Sequence, residues 1–266
     1  MVAVWNDASS LSIGLPRAQP VTAKSCSTGL TQNASVTASA YCNILITTAS
    51  MPHSHIHDHT EHLGCVFATN GGYFGGQPVN CVGNYVANGT VLQLQNAPAT
   101  NAAFLKNGSM IFGYADTHAL QGLASSSSQL VSGKGWLVRR GAVHWNASQD
   151  LRHPSPFAEE FVPRTALGVL KNGSMLLLVV SGIELAHVGV SLQELSEMLV
   201  QMGAWQAVNL DGGGSSDAVF KGAVVSAPTC SDTSHVCERP IVSIMCVGEH
   251  KAAAGDKPHG KIFEQM

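Results

Sequence analysis

Charge is the scarcest property of this sequence: only 12% of its 266 residues are Asp, Glu, Lys or Arg, and the formal net charge is −3. A chain so poor in cations has no basic stripe for nucleic acid or an acidic membrane surface, so both are excluded as partners. No apolar run reaches the roughly 20 residues of a membrane-crossing helix. The opening "MVAVWNDASS" lacks the charged-then-apolar pattern of a secretion signal, and the expectation is a soluble chain without a membrane span. C-x-x-C spacing is missing as well, although Cys26, Cys42, Cys65, Cys81, Cys230, Cys237 and Cys246 are present, which argues against a structural zinc site. The glycine-rich stretch "AVNLDGGGSSDAVF" has no Walker lysine and no G-x-G-x-x-G register, which removes the usual nucleotide loops.

What is present points elsewhere. Hydrophobic residues make up 45% of the chain, enough for a full core, and one domain is expected. Dispersed cysteines and N-x-S/T sequons at Asn33, Asn88, Asn107, Asn146 and Asn172 suggest an oxidising, secretory compartment with glycosylation at those asparagines. The sequons at Asn88, Asn107 and Asn172 read N-G-S or N-G-T, which hairpin turns would also produce. A processed segment of a longer precursor would reconcile that compartment with the missing signal.

Residues 1–35, rich in Ser, Thr, Ala and Pro, read as an irregular arm, and "YCNILITTA" from Tyr41 as a strand. A His-rich polar insertion follows over 52–62, then "LGCVFATNGGYF", a strand running into a Gly-Gly turn. The hexapeptide "LKNGSM" occurs at 105–110 and again at 170–175, each time between apolar runs, and predicts two hairpins with type I′ Asn-Gly turns. "GWLVRRGAVHW" and "AVFKGAVVSA" look like the same device. In "SLQELSEMLVQMG", Ser191 and Glu194 form a capping box ahead of helically spaced leucines, and Gly203 can end the helix. "AWQAVNL" reads as a strand buried on both faces, "RPIVSIMCVG" as the last strand, and 249–266 as a tail.

The polar residues around the glycine run carry the chemistry. Asn209 and Asp211 enter it two apart, on one side if the strand continues, and Ser215, Ser216 and Asp217 leave it. Glycines can bring N–H groups into one concavity suited to phosphate oxygens, and forked arginine donors suit the same anion. "NGGYF" from Asn70 repeats the strand-Asn-glycine design, while Arg164 with Thr165, and Arg239 before Pro240, stand at strand entrances. His53, His55, His57 and His59 alternate and could share one face as metal ligands, but a solvated loop is preferred and any metal there would be peripheral.

Together, "NGGYF", "CVGN" at 81–84, "SGKGWLVRRG", "RTALG", "NLDGGGSS" and "RPIVSIMCV", in that order, resemble the phosphodiester glycosidase family over roughly residues 60–248. The resemblance implies an α+β single domain of largely antiparallel curved sheets with hairpins packed around a few helices. It implies release of N-acetylglucosamine from the phosphodiester that covers mannose 6-phosphate on lysosomal hydrolases, whose phosphorylated high-mannose glycans would be the partner. It calls for no cofactor, places the chain in the secretory-pathway lumen, Golgi or outside the cell, and leaves a homo-oligomer open. The implied disulfides are Cys26–Cys65, Cys81–Cys246 and Cys230–Cys237, with Cys42 left over. "SHIHDHTEH" departs from the family pattern, and nothing after Glu249 resembles the further modules and membrane anchor of animal members.

On that reading the bond to the anomeric carbon breaks and a phosphate monoester leaves, so little protonation is required and cations can carry much of the catalysis. Arg164, Arg239, Ser215, Ser216 and the N–H groups of Gly212, Gly213 and Gly214 are expected at the phosphate. Asp211 is expected at the anomeric carbon, with Glu184 as the second carboxylate and Asn70, Asn209 and Thr165 orienting substrate or Asp211. A phosphodiesterase cutting P–O, or a non-catalytic sugar-phosphate or metal-binding module, are the competing readings.

Overall fold

The computed structural model describes residues 2–5, 11–14, 55–56, 65–75, 80–95, 97–248 and 262–264. Its architecture is α+β, with almost entirely antiparallel sheets. The first sheet runs in the order Val2–Trp5, Met175–Val180, Arg164–Leu170, Ala204–Asn209, Trp136–Arg139, Ala142–Val143. In "RTALGVL" and "MLLLVV" successive side chains alternate faces: Leu167, Val169, Met175 and Leu177 enter the main core, while Ala166, Leu176 and Leu178 meet the helix Leu192–Gln201. Burial on both sides is why these strands read as continuous apolar runs. The capping box at that helix is formed: Ser191 Oγ accepts from the Glu194 N–H at 3.2 Å and Glu194 accepts from the Ser191 N–H at 3.0 Å.

A second sheet has the order Ile262–Glu264, Met110–Gly113, Thr100–Leu105, Ser127–Gly133, Tyr85–Ala87, Thr90–Gln93, and its outer face is covered by the helix Thr117–Ser126 through Leu123 and Ala124. A third has the order Ala223–Val224, Ala218–Phe220, Cys65–Asn70, Ile244–Gly248, Leu11–Gly14. All three feed one shared core, where Phe67, Met245, Phe112, Val131, Leu167 and Val208 pack together. Two strands therefore lie within the stretch expected to be an irregular arm, and one within the expected tail. "RPIVSIMCVG" becomes a strand only from Ile244. The strand expected from Tyr41 falls outside the described residues, as do Cys26, Cys42, Asn33, His53, His57 and His59. Within the His-rich insertion Ile56 is 1% exposed and packs on Ala68, Val219 and Ile244.

Both "LKNGSM" segments form hairpins, but not with I′ turns. Gly108 and Gly173 have φ of +82° and +90° while Asn107 and Asn172 stay right-handed, and Gly108 N–H donates to Leu105 O and Leu105 N–H to Ser109 O. This is a type I turn closed by a glycine bulge. The asparagine side chain holds it, accepting from the N–H two residues on at 3.0 Å in both copies. The paired positive φ angles of I′ occur instead at Asn88-Gly89, Arg140-Gly141 and Lys221-Gly222. Asn88, Asn107, Asn146 and Asn172 are all exposed.

The disulfide pattern differs from the implied one. Cys230–Cys237 is present, but Cys65 bonds Cys246, in place of the Cys26–Cys65 and Cys81–Cys246 pairs. The cause is strand order: Cys65–Asn70 lies beside Ile244–Gly248, with Cys246 opposite Ala68, which puts the two Cα atoms 5.4 Å apart. Cys81 is buried on the short strand Asn80–Cys81, opposite Phe74. Because the 65–246 bond closes a loop of 181 residues, Cys246→Ser is expected to cost about 2–5 kcal/mol in denaturant unfolding. Non-reducing peptide mapping should recover the 65–246 pair; an 81–246 peptide would contradict it.

Candidate active site

The strand Ala204–Asn209 ends one residue before Leu210, so strand alternation does not extend to Asp211. The chain instead turns through Gly212 into a single 3₁₀ turn over Gly213–Ser215. Asn70 fixes this departure. Its Nδ2 donates to Asp211 O at 2.7 Å, and its Oδ1 accepts from Thr165 Oγ1 at 2.7 Å and from the Asp217 N–H at 3.3 Å. Three separate segments are thus pinned by one buried amide, and Asp211 N–H closes the arrangement by donating to Gly71 O at 3.1 Å. Asn70, itself bonded to Thr165, holds the Asp211 carbonyl.

The glycines serve close approach. The Glu184 carboxylate lies where a Cβ on Gly213 would stand, and Gly213 has φ +60°. A Cβ on Gly214 would come within 2.5 Å of Arg239 Nη2 and Thr229 O, and one on Gly212 within 2.9 Å of Pro163 O. Two of the N–H groups expected to cradle phosphate are spent inside the protein: Gly213 donates to Pro163 O and Gly214 to Asp232 Oδ1. Donation from these two to a phosphate is therefore excluded.

Burial pushes the Asp211 carboxyl up from the usual carboxylate value to about 7; Glu184 adds to the rise, and Ser215, the Gly212 N–H and Arg239 oppose it. Glu184 is raised too, first by burial and then by Asp232 and Glu160, against Arg239. The second carboxylate proposed from sequence does lie beside the first. Arg239 Nη2 is ion-paired to Asp232 Oδ1 at 2.7 Å, and its Nε donates to Cys230 O at 2.9 Å. Arg164 is 1% exposed: Nη2 donates to Phe157 O and Glu160 O, Nε to Val190 O, and the guanidinium stacks 4.7 Å from the Phe157 ring centre. Both arginines are thus anchored in the wall as fixed positive charge. Ser215 helps to lower the Asp211 carboxyl, whereas Ser216 Oγ and Asn209 Oδ1 are buried without hydrogen-bond partners.

Three neighbours had no assigned role in the sequence. Tyr73 accepts from Asn209 Nδ2 at 2.6 Å, and burial followed by the Asp211 charge raises its phenol far above the ordinary value, so it stays protonated. Phe157 lies edge-on to Tyr73 with ring centres 6.3 Å apart, and Lys134 Nζ sits 4.2 Å from the Phe157 centre. Their only sequence signal was the aromatic in "NGGYF" and the lysine between two glycines in "SGKG".

Behind the loop Asp217 is buried, accepting from the Ala218 N–H at 2.7 Å and from Ser226 Oγ at 2.6 Å. Burial, then Glu238, lifts its carboxyl to about 7, against Ser226 and the Ala218 N–H. A folded value above the unfolded one means stability that is full below about pH 4 and lost as pH rises toward 7. Asp217→Asn keeps the acceptor oxygen and removes the charge. It should gain on the order of 1–3 kcal/mol at pH 8 and nothing at pH 4 by chemical denaturation; equal changes at both would contradict this origin.

Among the described residues no group of three His, Cys, Asp or Glu side chains is arranged to hold a metal ion, and no helix is long and apolar enough to cross a membrane.

Residues 63–248 match the phosphodiester glycosidase family, a span that contains Asn70, Arg164, Glu184, Asp211 and Arg239. The chain is 32% identical over 216 residues to the Bos taurus N-acetylglucosamine-1-phosphodiester alpha-N-acetylglucosaminidase, covering 76% of this chain and 40% of that one. It is 31% identical over 215 residues to the Mus musculus protein of the same name, with 76% and 41% covered. It spans about two fifths of the length of these curated relatives. Among solved structures, the zebrafish catalytic domain of that enzyme, auto-inhibited by its pro-peptide, is similar with a TM-score of 0.66 at 28% identity, covering 75% of this chain and 68% of the other. A putative exported protein of Burkholderia pseudomallei shares the fold, with a TM-score of 0.56 at 16% identity over 90% and 71% of the two chains. On a match that covers most of its length, the chain belongs to the phosphodiester glycosidase family.

Proposed function

We propose that this protein hydrolyses the bond between the anomeric carbon of N-acetylglucosamine and a phosphate oxygen in a GlcNAc-α-1-phospho-6-mannose diester. On glycoprotein glycans this exposes mannose 6-phosphate, and phosphorylated high-mannose glycans of lysosomal hydrolases are the proposed substrates. The observation that carries the reading is Asp211: a carboxylate with its backbone pinned by Asn70, its acidity weakened by burial, at the edge of a loop faced by Glu184 and Arg239.

In the reaction the C1–O bond breaks, its electron pair leaves on the phosphate monoester, and water supplies hydroxyl to C1. Ionised Asp211 opposes the positive charge that grows on the sugar, while Arg164 and Arg239 provide a fixed field favouring the departing phosphate. Glu184, also weakened as an acid, exchanges a proton with the incoming water in this proposal. With the Asp211 carboxyl held at about 7, the site repels an anionic diester less than an ordinary carboxylate there would.

The Cys65–Cys246 and Cys230–Cys237 disulfides suit an oxidising compartment, and we place the protein in the lumen of the secretory pathway, in the Golgi, or outside the cell. The test is incubation with GlcNAc-α-1-phospho-6-mannose. Free N-acetylglucosamine and mannose 6-phosphate in equal amounts support the reading; N-acetylglucosamine 1-phosphate with free mannose, or no turnover, sinks it.

A further inference from the structure

Which group meets the phosphate is left open once the Gly213 and Gly214 N–H groups and both arginines are committed inside the protein. The backbone of 133–135 offers an answer. Lys134 N–H donates to Asn209 O at 2.9 Å, Asn209 Nδ2 donates to Lys134 O at 3.1 Å, and Asn209 N–H donates to Gly135 O at 3.1 Å. A Cβ on Gly133 would collide with Asn209 O, and Gly135 has φ +100°. Flanked by these two glycines, Lys134 is the side chain that this segment presents, opposite Asn209, which precedes Asp211 by two residues in the chain.

Its ammonium rests over Phe157, 4.2 Å from the ring centre, and the same ring carries Arg164 and touches Tyr73. A cation over a ring face is held in place without using its N–H donors. Among the described residues no carboxylate pairs with Lys134, and the residue is exposed. It is the cation of this site whose donors remain available, beside arginines that are buried or paired.

We propose that Lys134, seated on Phe157, binds the phosphate oxygens of the substrate and so selects phosphodiester-linked over uncharged glycosides. This rests on the function proposed above and assigns the anion's ligand within it. A charge-assisted contact of this kind corresponds to roughly a 10–100-fold difference in affinity. Titration calorimetry of wild type, Lys134→Gln and Lys134→Arg with N-acetylglucosamine 1-phosphate, and with methyl α-N-acetylglucosaminide as the neutral control, tests it. The expected result is a loss of about 10-fold or more for the phosphate in Lys134→Gln, with the neutral ligand within about twofold and Lys134→Arg close to wild type. Unchanged phosphate affinity in Lys134→Gln, an equal loss for both ligands, or no phosphate binding by wild type would each overturn the assignment. Because binding is read without turnover, a protein that fails to hydrolyse the diester yet loses N-acetylglucosamine 1-phosphate with Lys134 would refute the proposed reaction and leave this inference standing.

Discussion

Asp211→Asn is expected to lower kcat toward a GlcNAc phosphodiester by at least about 10³-fold while leaving the fold intact. Asparagine preserves size and the backbone hydrogen bonds that Asn70 and Gly71 make to this residue, so what is lost is the charge proposed to face the sugar. Stability should not fall with activity. The folded carboxyl value, about 7, lies above the ordinary one, so ionisation of Asp211 weakens the fold progressively from about pH 4 to about 7. The variant should therefore unfold at the same temperature or higher at pH 8. The same value sets the pH dependence of the wild type: kcat/KM should rise with pH to a midpoint near 7 as Asp211 ionises. A variant retaining more than a tenth of wild-type kcat, or a rate that falls across that range, would remove Asp211 from its role.

The second large effect is expected at Asn70. Truncation to alanine leaves the Asp211 carbonyl, the Thr165 hydroxyl and the Asp217 N–H without their partner, all within or beside the core. With about 1–3 kcal/mol for each such group, the total is about 3–5 kcal/mol after partial relaxation, or on the order of 10 °C in Tm. Because the loop would no longer be held against the 65–70 strand, kcat should fall by about 10²-fold even at temperatures where the variant is folded. Thr165→Val, which removes one of the three bonds, should show a small fraction of both effects. Circular dichroism melts with single-temperature kinetics separate the two losses; equal behaviour of Asn70→Ala and Thr165→Val would contradict the hub.

The parts of this protein governed by local rules could be read from the chain. The capping box at Ser191 and Glu194, the four hairpins and the doubly buried strand Ala204–Asn209 follow from spacing and turn chemistry. Spacing did not bring Asn70, Thr165, Asp211 and Glu184 together; the family resemblance implied it, and the structure shows Asn70 bonded to both Thr165 and Asp211. What was not legible depends on which distant segments become neighbours. The Cys65–Cys246 pairing needs the knowledge that the 65–70 strand lies beside the 244–248 strand, an order that skips nearly the whole sequence. Three glycines suggest a phosphate cradle until Pro163 and Asp232 are seen to take the N–H groups of Gly213 and Gly214. Arg164 and Arg239 look like free donors until their carbonyl and carboxylate partners are placed. Even the Asn-Gly turns misled, because two of the three chose a type I turn with a bulge, where the Asn side chain caps its own loop.

Hydrolysis in ¹⁸O-labelled water tests the central claim, that the protein cleaves carbon from oxygen at a sugar held before Asp211. The account predicts that the label enters N-acetylglucosamine at C1, with mannose 6-phosphate unlabelled, and that Asp211→Asn abolishes its incorporation. Label in the phosphate would show attack at phosphorus and contradict it.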